Sequence, residues 1–171
     1  MNKYSIITAI AITIIIIPFV HSGLNIVGVQ QLEYRWDSPG EFSFFTMSNS
    51  GKMEFCNTMP FWTSFQIFEV ATYYDTVHLG SFVVKPTTIN PFSSTVQGGI
   101  FSSEKITTAQ HNFMTLDFEF DGGDIRLDPN KFMVVTSANT PIIGIIPYTS
   151  TNQITGFDFD TLMNSEDLAC D

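Results

Sequence analysis

The sequence predicts an all-β domain, an antiparallel β-sandwich, behind one N-terminal apolar helix. Three observations carry this. Residues 1–22, MNKYSIITAIAITIIIIPFVHS, contain an uncharged run from Tyr4 to Val20. From Leu24 onward, apolar and polar residues alternate with the period of extended chain. Turn signals such as DSPG (37–40) and NSGK (49–52) separate the alternating segments, at the spacing of about ten residues usual in sandwiches.

The first element is the helix. Tyr4 to Val20 is 17 residues, about 25 Å of helix at 1.5 Å per residue, near the lower limit for crossing a bilayer. Its isoleucines follow no helical period, so every side is apolar, as lipid requires. Lys3 precedes the run, and a positive end stays inside, which sends the C-terminus outward. Val20-His21-Ser22 also resembles a signal-peptidase site. The run is longer than that of most cleaved signals, so an uncleaved anchor over 1–22 is preferred. Secretion after cleavage is the alternative.

The exported part is expected to form the sandwich over 24–163, followed by an acidic tail over 164–171. LNIVGVQQLEYRW (24–36), EFSFFTMSN (41–49) and MEFCN (53–57) read as strands, followed by the long aromatic FWTSFQIFEVATYY (61–74). DTVHLG turns the chain. SFVVK, TTI and STVQGGIFSS continue it, the last with an expected bulge at Gly98-Gly99. EKITTAQHNFM (104–114), with Ser103 as possible N-cap and Ile106, Ala109 and Phe113 on one face, is the one helix or loop expected beyond the anchor. TLDFEF, DIRLD, KFMVVTSAN and PIIGIIPY read as the remaining strands.

Composition narrows the function. Aromatics make up 14% of the chain, including 17 Phe, which excludes a disordered polymer. The net charge of −10 repels a phosphate backbone, so nucleic acid is not an expected partner.

One stretch resembles a chemical site. DFEFDGGDIRLD (117–128) places Asp117, Glu119, Asp121, Gly122 and Asp128 at positions 1, 3, 5, 6 and 12 of a calcium loop. Leu116, Phe118 and Phe120 alternate with the acids, however, and Gly122-Gly123 suits a tight turn. A solvated hairpin is therefore the preferred reading. A weak calcium site built from Asp121, Asp124, Asp158 and Asp160 is the alternative. His21, His78 and His111 stand apart, no Gly-x-Ser-x-Gly elbow occurs, and no glycine loop cradles a phosphate. No catalytic, cofactor-binding or metal-binding residue is otherwise expected, and neither is a cofactor.

Cys56 and Cys170 are the only cysteines. In an exported chain an even count suggests one disulfide, which would tie the tail NSEDLACD to the strand MEFC. A buried Cys56 with a free Cys170 is the alternative.

Residues 49–136 resemble the second subgroup of late embryogenesis abundant proteins, which includes the water-stress and hypersensitive-response domain. Asn57 stands at that family's Asn position, with Thr58 where Pro is usual and Pro60 near by. Phe65, Phe68 and Val70 fill its apolar strand, and Leu79-Gly80 matches its Leu-Gly step. Asn90-Pro91 lies at its polar turn, and DGGDIRLDPNKFMVV is similar to its second half. The layout of anchor then sandwich is also similar to small membrane-anchored archaeal surface proteins. The resemblance implies an immunoglobulin-like sandwich without catalytic residues, associated with membranes and protection during water stress.

The expected function is thus a non-enzymatic, membrane-anchored extracytoplasmic module with a structural, protective or protein-interaction role. Its partners would be the membrane, through the N-terminal helix, and other membrane or envelope proteins. An accessory subunit of a membrane enzyme complex is the alternative.

Overall fold

The computed structural model describes residues 3–123 and 127–170. Helix α1, Lys3–Gln30, is 28 residues of unbroken α-helix, about 42 Å long. It is long and apolar enough to cross a membrane. Two hydroxyls of the apolar run bond back within the helix: Thr8 donates to the Tyr4 carbonyl at 3.0 Å and Thr13 to the Ala9 carbonyl at 2.9 Å. Pro18 lies inside it, as lipid-spanning helices tolerate.

The strand expected over 24–36 is mostly helix. Only its end forms β1, Glu33–Trp36. The alternation of Ile26, Gly28 and Gln30 against Val27 and Val29 masks a helical set, Ser22, Asn25 and Val29, all buried. These residues are three or four apart, so they share one helix face, and no Pro intervenes to stop the helix.

The β domain follows. Short helix α2 is Phe44–Met47, and β2 is Gly51–Asn57. Next come β3 (Thr63–Phe65), β4 (Ile67–Tyr74), β5 (Val77–Val84), β6 (Thr87–Ile89) and β7 (Ser93–Ser102). Helix α3 is Ile106–Phe120, and a 3-10 turn at Pro129–Lys131 leads into β8, Phe132–Ile142. Strand β9 is Ile146–Thr155 and helix α4 is Gly156–Met163.

Seven strands form one antiparallel sheet in the order β1-β2-β7-β5-β4-β8-β9, and β3 pairs with β6 in a second small sheet. The large sheet curls onto itself. Tyr34 on β1 donates to Thr136 on β8 at 3.2 Å, although four strands separate the two in the order. The result is a mostly β, sandwich-like domain behind an N-terminal helix, as the alternation predicts. Phe68, Val70 and Thr72 of β4 line up with Ala138, Thr136 and Val134 of β8 and face the core, one strand face burying every second residue.

Several expected strands differ. Residues 41–49 contain α2 because Ser43 caps it, its hydroxyl accepting from Thr46 N at 3.0 Å. The segment 61–74 divides at Gln66 between the two sheets. Gly98-Gly99 carries no bulge: β7 pairs with β2 in unbroken register there, and the irregularity lies between Thr72 and Tyr73. Gly99 is required for space, since a Cβ would meet the Phe82 ring at 2.3 Å. PIIGIIPY is the β8–β9 hairpin turn with its flanks.

The hairpin expected at 117–128 begins instead as the last turns of α3. Ala109, Phe113 and Leu116 are buried and Phe120 packs against the same core, a helical spacing that outweighs the local alternation, and Phe118 is left exposed. The expected return strand includes Asp124 and Ile125, which lie outside the described residues. Helix α4 is a further element absent from the sequence reading. It buries Phe159 and Met163, one turn apart.

Candidate functional site

The acids singled out in the sequence divide between two tasks. Asp158 serves its own helix: Thr155 donates to its carboxylate at 2.7 Å, and its N–H donates to the Thr155 hydroxyl at 3.1 Å, a reciprocal cap. Asp121 ends α3, where its N–H reaches the Asp117 carbonyl. Asp160 sits on α4 beside Asn164. Asp124 lies outside the described residues. Asp121 and Asp160 are close enough to repel each other's charge, and both act on Asp117.

Asp117 is the structural centre of this group. Its two carboxylate oxygens accept the N–H groups of Phe44 at 2.9 Å and Phe45 at 2.8 Å, so α3 holds the first turn of α2. Burial pushes its carboxyl up to about 6, against the pull of those two N–H donors and with added repulsion from Asp160 and Asp121. Burial also raises Asp160, opposed by the Asn164 amide and assisted by Asp121. Among the described residues, no three His, Cys, Asp or Glu side chains lie where they could hold a metal ion. The arrangement clasps helices together; Asn164 extends the clasp by accepting the Phe42 N–H at 3.0 Å.

A second clasp secures the tail. Cys56 and Cys170 form a disulfide, with Cα atoms 5.8 Å apart across 114 residues of sequence. Arg35, buried, pairs with Glu54 at 2.9 Å and also donates to the Glu166 carbonyl. Ser94 donates to Glu54 at 2.6 Å, and Ala169 N donates to Glu33 at 2.9 Å. The cysteines were visible in the sequence. Arg35 was not, because a lone base in a strand gives no sign of its partner.

Asn57 organises the loop after β2. Its amide donates to the carbonyls of Phe61, Ile89 and Asn90, at 2.8, 3.3 and 3.1 Å. Its oxygen accepts from Met59 N at 3.1 Å and the Thr63 hydroxyl at 3.0 Å. A fully bonded, buried amide of this kind fixes a loop and leaves nothing to bind a ligand.

A cleft beside the β4–β5 turn is lined by His78, Ser103, Glu104 and Lys105. His78 Nε2 lies 3.1 Å from the Ser81 hydroxyl, the one pairing here that resembles a base and a nucleophile. Ser81 is buried, however. An activated serine also needs a third group to orient its base, and among the described contacts no carboxylate bonds to His78.

The remaining polar cluster docks α1. Asn25 donates to the Ser64 carbonyl at 3.0 Å and to the Thr140 hydroxyl at 2.6 Å, and it accepts from Ser64 N at 2.7 Å. Ser22 accepts from Ile143 N at 2.8 Å, and Gln30 donates to the Tyr148 hydroxyl at 2.8 Å. Gly28 permits close approach, since a Cβ there would lie 2.2 Å from the Thr63 hydroxyl. The helix therefore passes from the apolar run directly onto the domain, with no flexible stalk between them.

No family model and no curated protein matches the chain. Among solved structures, a crystal structure of a protein from Archaeoglobus fulgidus aligns with a TM-score of 0.34 at 9% identity, covering 73% of this chain and 94% of that one. A solution structure of a protein from Arabidopsis thaliana aligns with a TM-score of 0.26 at 13% identity, covering 73% and 77%. At these scores the two neighbours carry no argument about this chain.

Proposed function

We propose that the protein is a non-enzymatic, single-pass membrane protein whose sandwich-like domain works outside the cytoplasm as a structural, protective or protein-interaction module. It resembles the second subgroup of late embryogenesis abundant proteins. The observation that carries this reading is the docking of α1. Ser22, the last residue before the possible cleavage point, is 7% exposed and bonded to the domain within continuous helix. Removal of residues 1–22 would discard that bond to the domain, which favours an anchor over a released signal. The Cys56–Cys170 bond supports an oxidising compartment.

The test is topology together with processing. The intact mass should include residues 1–22, and the protein should stay with membranes through alkaline carbonate washing. A tag after Asp171 should be cut by protease added outside the cell. A mature N-terminus at Gly23, or a protected tag, would overturn the reading.

A further inference from the structure

We propose that the tip of the β8–β9 hairpin, Pro141–Pro147, is a second membrane contact. Ile145 and Ile146 enter the lipid interface beside α1, so that the domain lies directly on the bilayer. This rests on the anchor reading of α1.

The position of the tip follows from three bonds along the helix. Gln30 reaches Tyr148, Asn25 reaches Thr140, and Ser22 reaches Ile143. Tyr148 and Thr140 pair across the hairpin, and the next bond toward the helix N-terminus, at Ser22, meets Ile143 in the turn itself. The cleft between them is lined by Ile17, Pro18 and His21 on one side and by Pro141, Ile143 and Gly144 on the other. Ile17 and Pro18 belong to the uncharged run that ends at Val20. The turn thus stands at the depth where the helix is still apolar.

The chemistry of the turn fits lipid and not water. Ile145 is 82% exposed, the most of any large apolar side chain among the described residues, and Ile146 is 54% exposed. The backbone turns through two left-handed residues, Ile143 at φ 53° and Gly144 at φ 72°, closed by Ile145 N donating to the Ile142 carbonyl at 3.1 Å. Asn or Asp is the usual choice before Gly in such a turn. A β-branched residue with positive φ is strained, and this site keeps an isoleucine there. Between Lys131 and Asp158 the chain has 26 residues without Asp, Glu, Lys, Arg or His. In a chain of net charge −10, this neutral strip is the surface that can approach headgroups without repulsion.

The occupant is therefore the lipid bilayer, and a second copy of the chain is the competing outcome. The test uses the full-length protein in phosphatidylcholine vesicles, with Cys56 and Cys170 left joined. Single cysteines placed by Ile145→Cys, Val77→Cys or Ile12→Cys carry an environment-sensitive fluorophore, and nitroxide lipids labelled near the headgroup (for Ile145 and Val77) or along the acyl chain (for Ile12) act as quenchers. Val77 is exposed and lies at the far end of β4 and β5 from the tip. Ile12 lies within the apolar run. Quenching at Ile145 should exceed that at Val77 several-fold, with Ile12 quenched as well. Ile146→Cys gives the same reading from a residue outside the strained turn. Quenching at Ile145 and Ile146 no greater than at Val77, with Ile12 quenched, would overturn this proposal alone. An unquenched Ile12 would overturn the anchor reading beneath it. A blue-shifted but unquenched Ile145, with energy transfer between copies, would overturn it in favour of self-association.

Discussion

The two ends of β8 are closed by opposite chemistries. At its start, Phe132 meets Phe44, which also touches Phe42, Phe113, Phe120 and Phe159, with ring centroids 4.7 to 6.1 Å apart. At its close, Thr140 and Ile143 meet α1 through Asn25 and Ser22. The aromatic end is held by burial, which has no direction. The helix end is held by amide and hydroxyl bonds, which do. In the anchor reading proposed above, an isoleucine-covered helix gains nothing by leaving lipid for an apolar protein surface. Only polar groups placed just beyond the apolar run can fix its angle to the domain.

This contrast makes distinct predictions for the two ends. The largest effect belongs to the aromatic end. Phe44→Ala should cost about 3–5 kcal/mol, seen as a lower urea midpoint for the whole domain in detergent micelles. A cost below about 1 kcal/mol would mean that the rings are not the domain's core.

At the helix end, Asn25→Ala should cost about 1–3 kcal/mol by stranding Ser64 and Thr140, as a local change. Protease sensitivity should rise at residues 22–32 while the urea midpoint of the sheet stays near its original value. Gly28→Ala should have the same local signature, because the added methyl has no room against Thr63.

A third prediction concerns the acids buried at the aromatic end. Burial raises Asp117 to about 6, above the ordinary carboxylate range, so the folded state binds its proton more tightly than the unfolded chain does. That stabilisation is complete below the unfolded value and is lost as pH rises through about 4 to 6. Domain stability should fall by about 2 kcal/mol over that window, less than two full pKa steps would give, because solvent still reaches the carboxyl. Asp117→Asn should flatten the slope. An unchanged slope would assign it to other carboxyls.

The smallest effect expected is from Thr155→Ala, which removes the cap of α4 and should cost about 1 kcal/mol.

How far the sequence could be read follows the same division. Alternation identified β2, β4 and β8 because each buries one face against the core. It failed for residues 24–30, where Ser22, Asn25 and Val29 form a helical face of mixed polarity that no hydrophobic count registers. It failed again at residues 116–120, where Leu116 and Phe120 are neighbours on a helix as well as alternate residues on a strand. Only the exposure of Phe118 separates the two cases, and exposure is set by tertiary packing. The cysteine pair was legible because its chemistry requires a partner. The roles of Asp117, Arg35 and Asn57 were not, since each acts through backbone groups brought near only by the fold.

The central claim is that α1 continues unbroken from its apolar run onto the domain. Hydrogen exchange of the full-length protein in vesicles tests it most directly. Amides of residues 22–30 should be protected as strongly as those of β8, and Asn25→Ala should reduce that protection selectively. Exchange across 22–30 at the rate of an open loop in the unsubstituted protein would contradict the account.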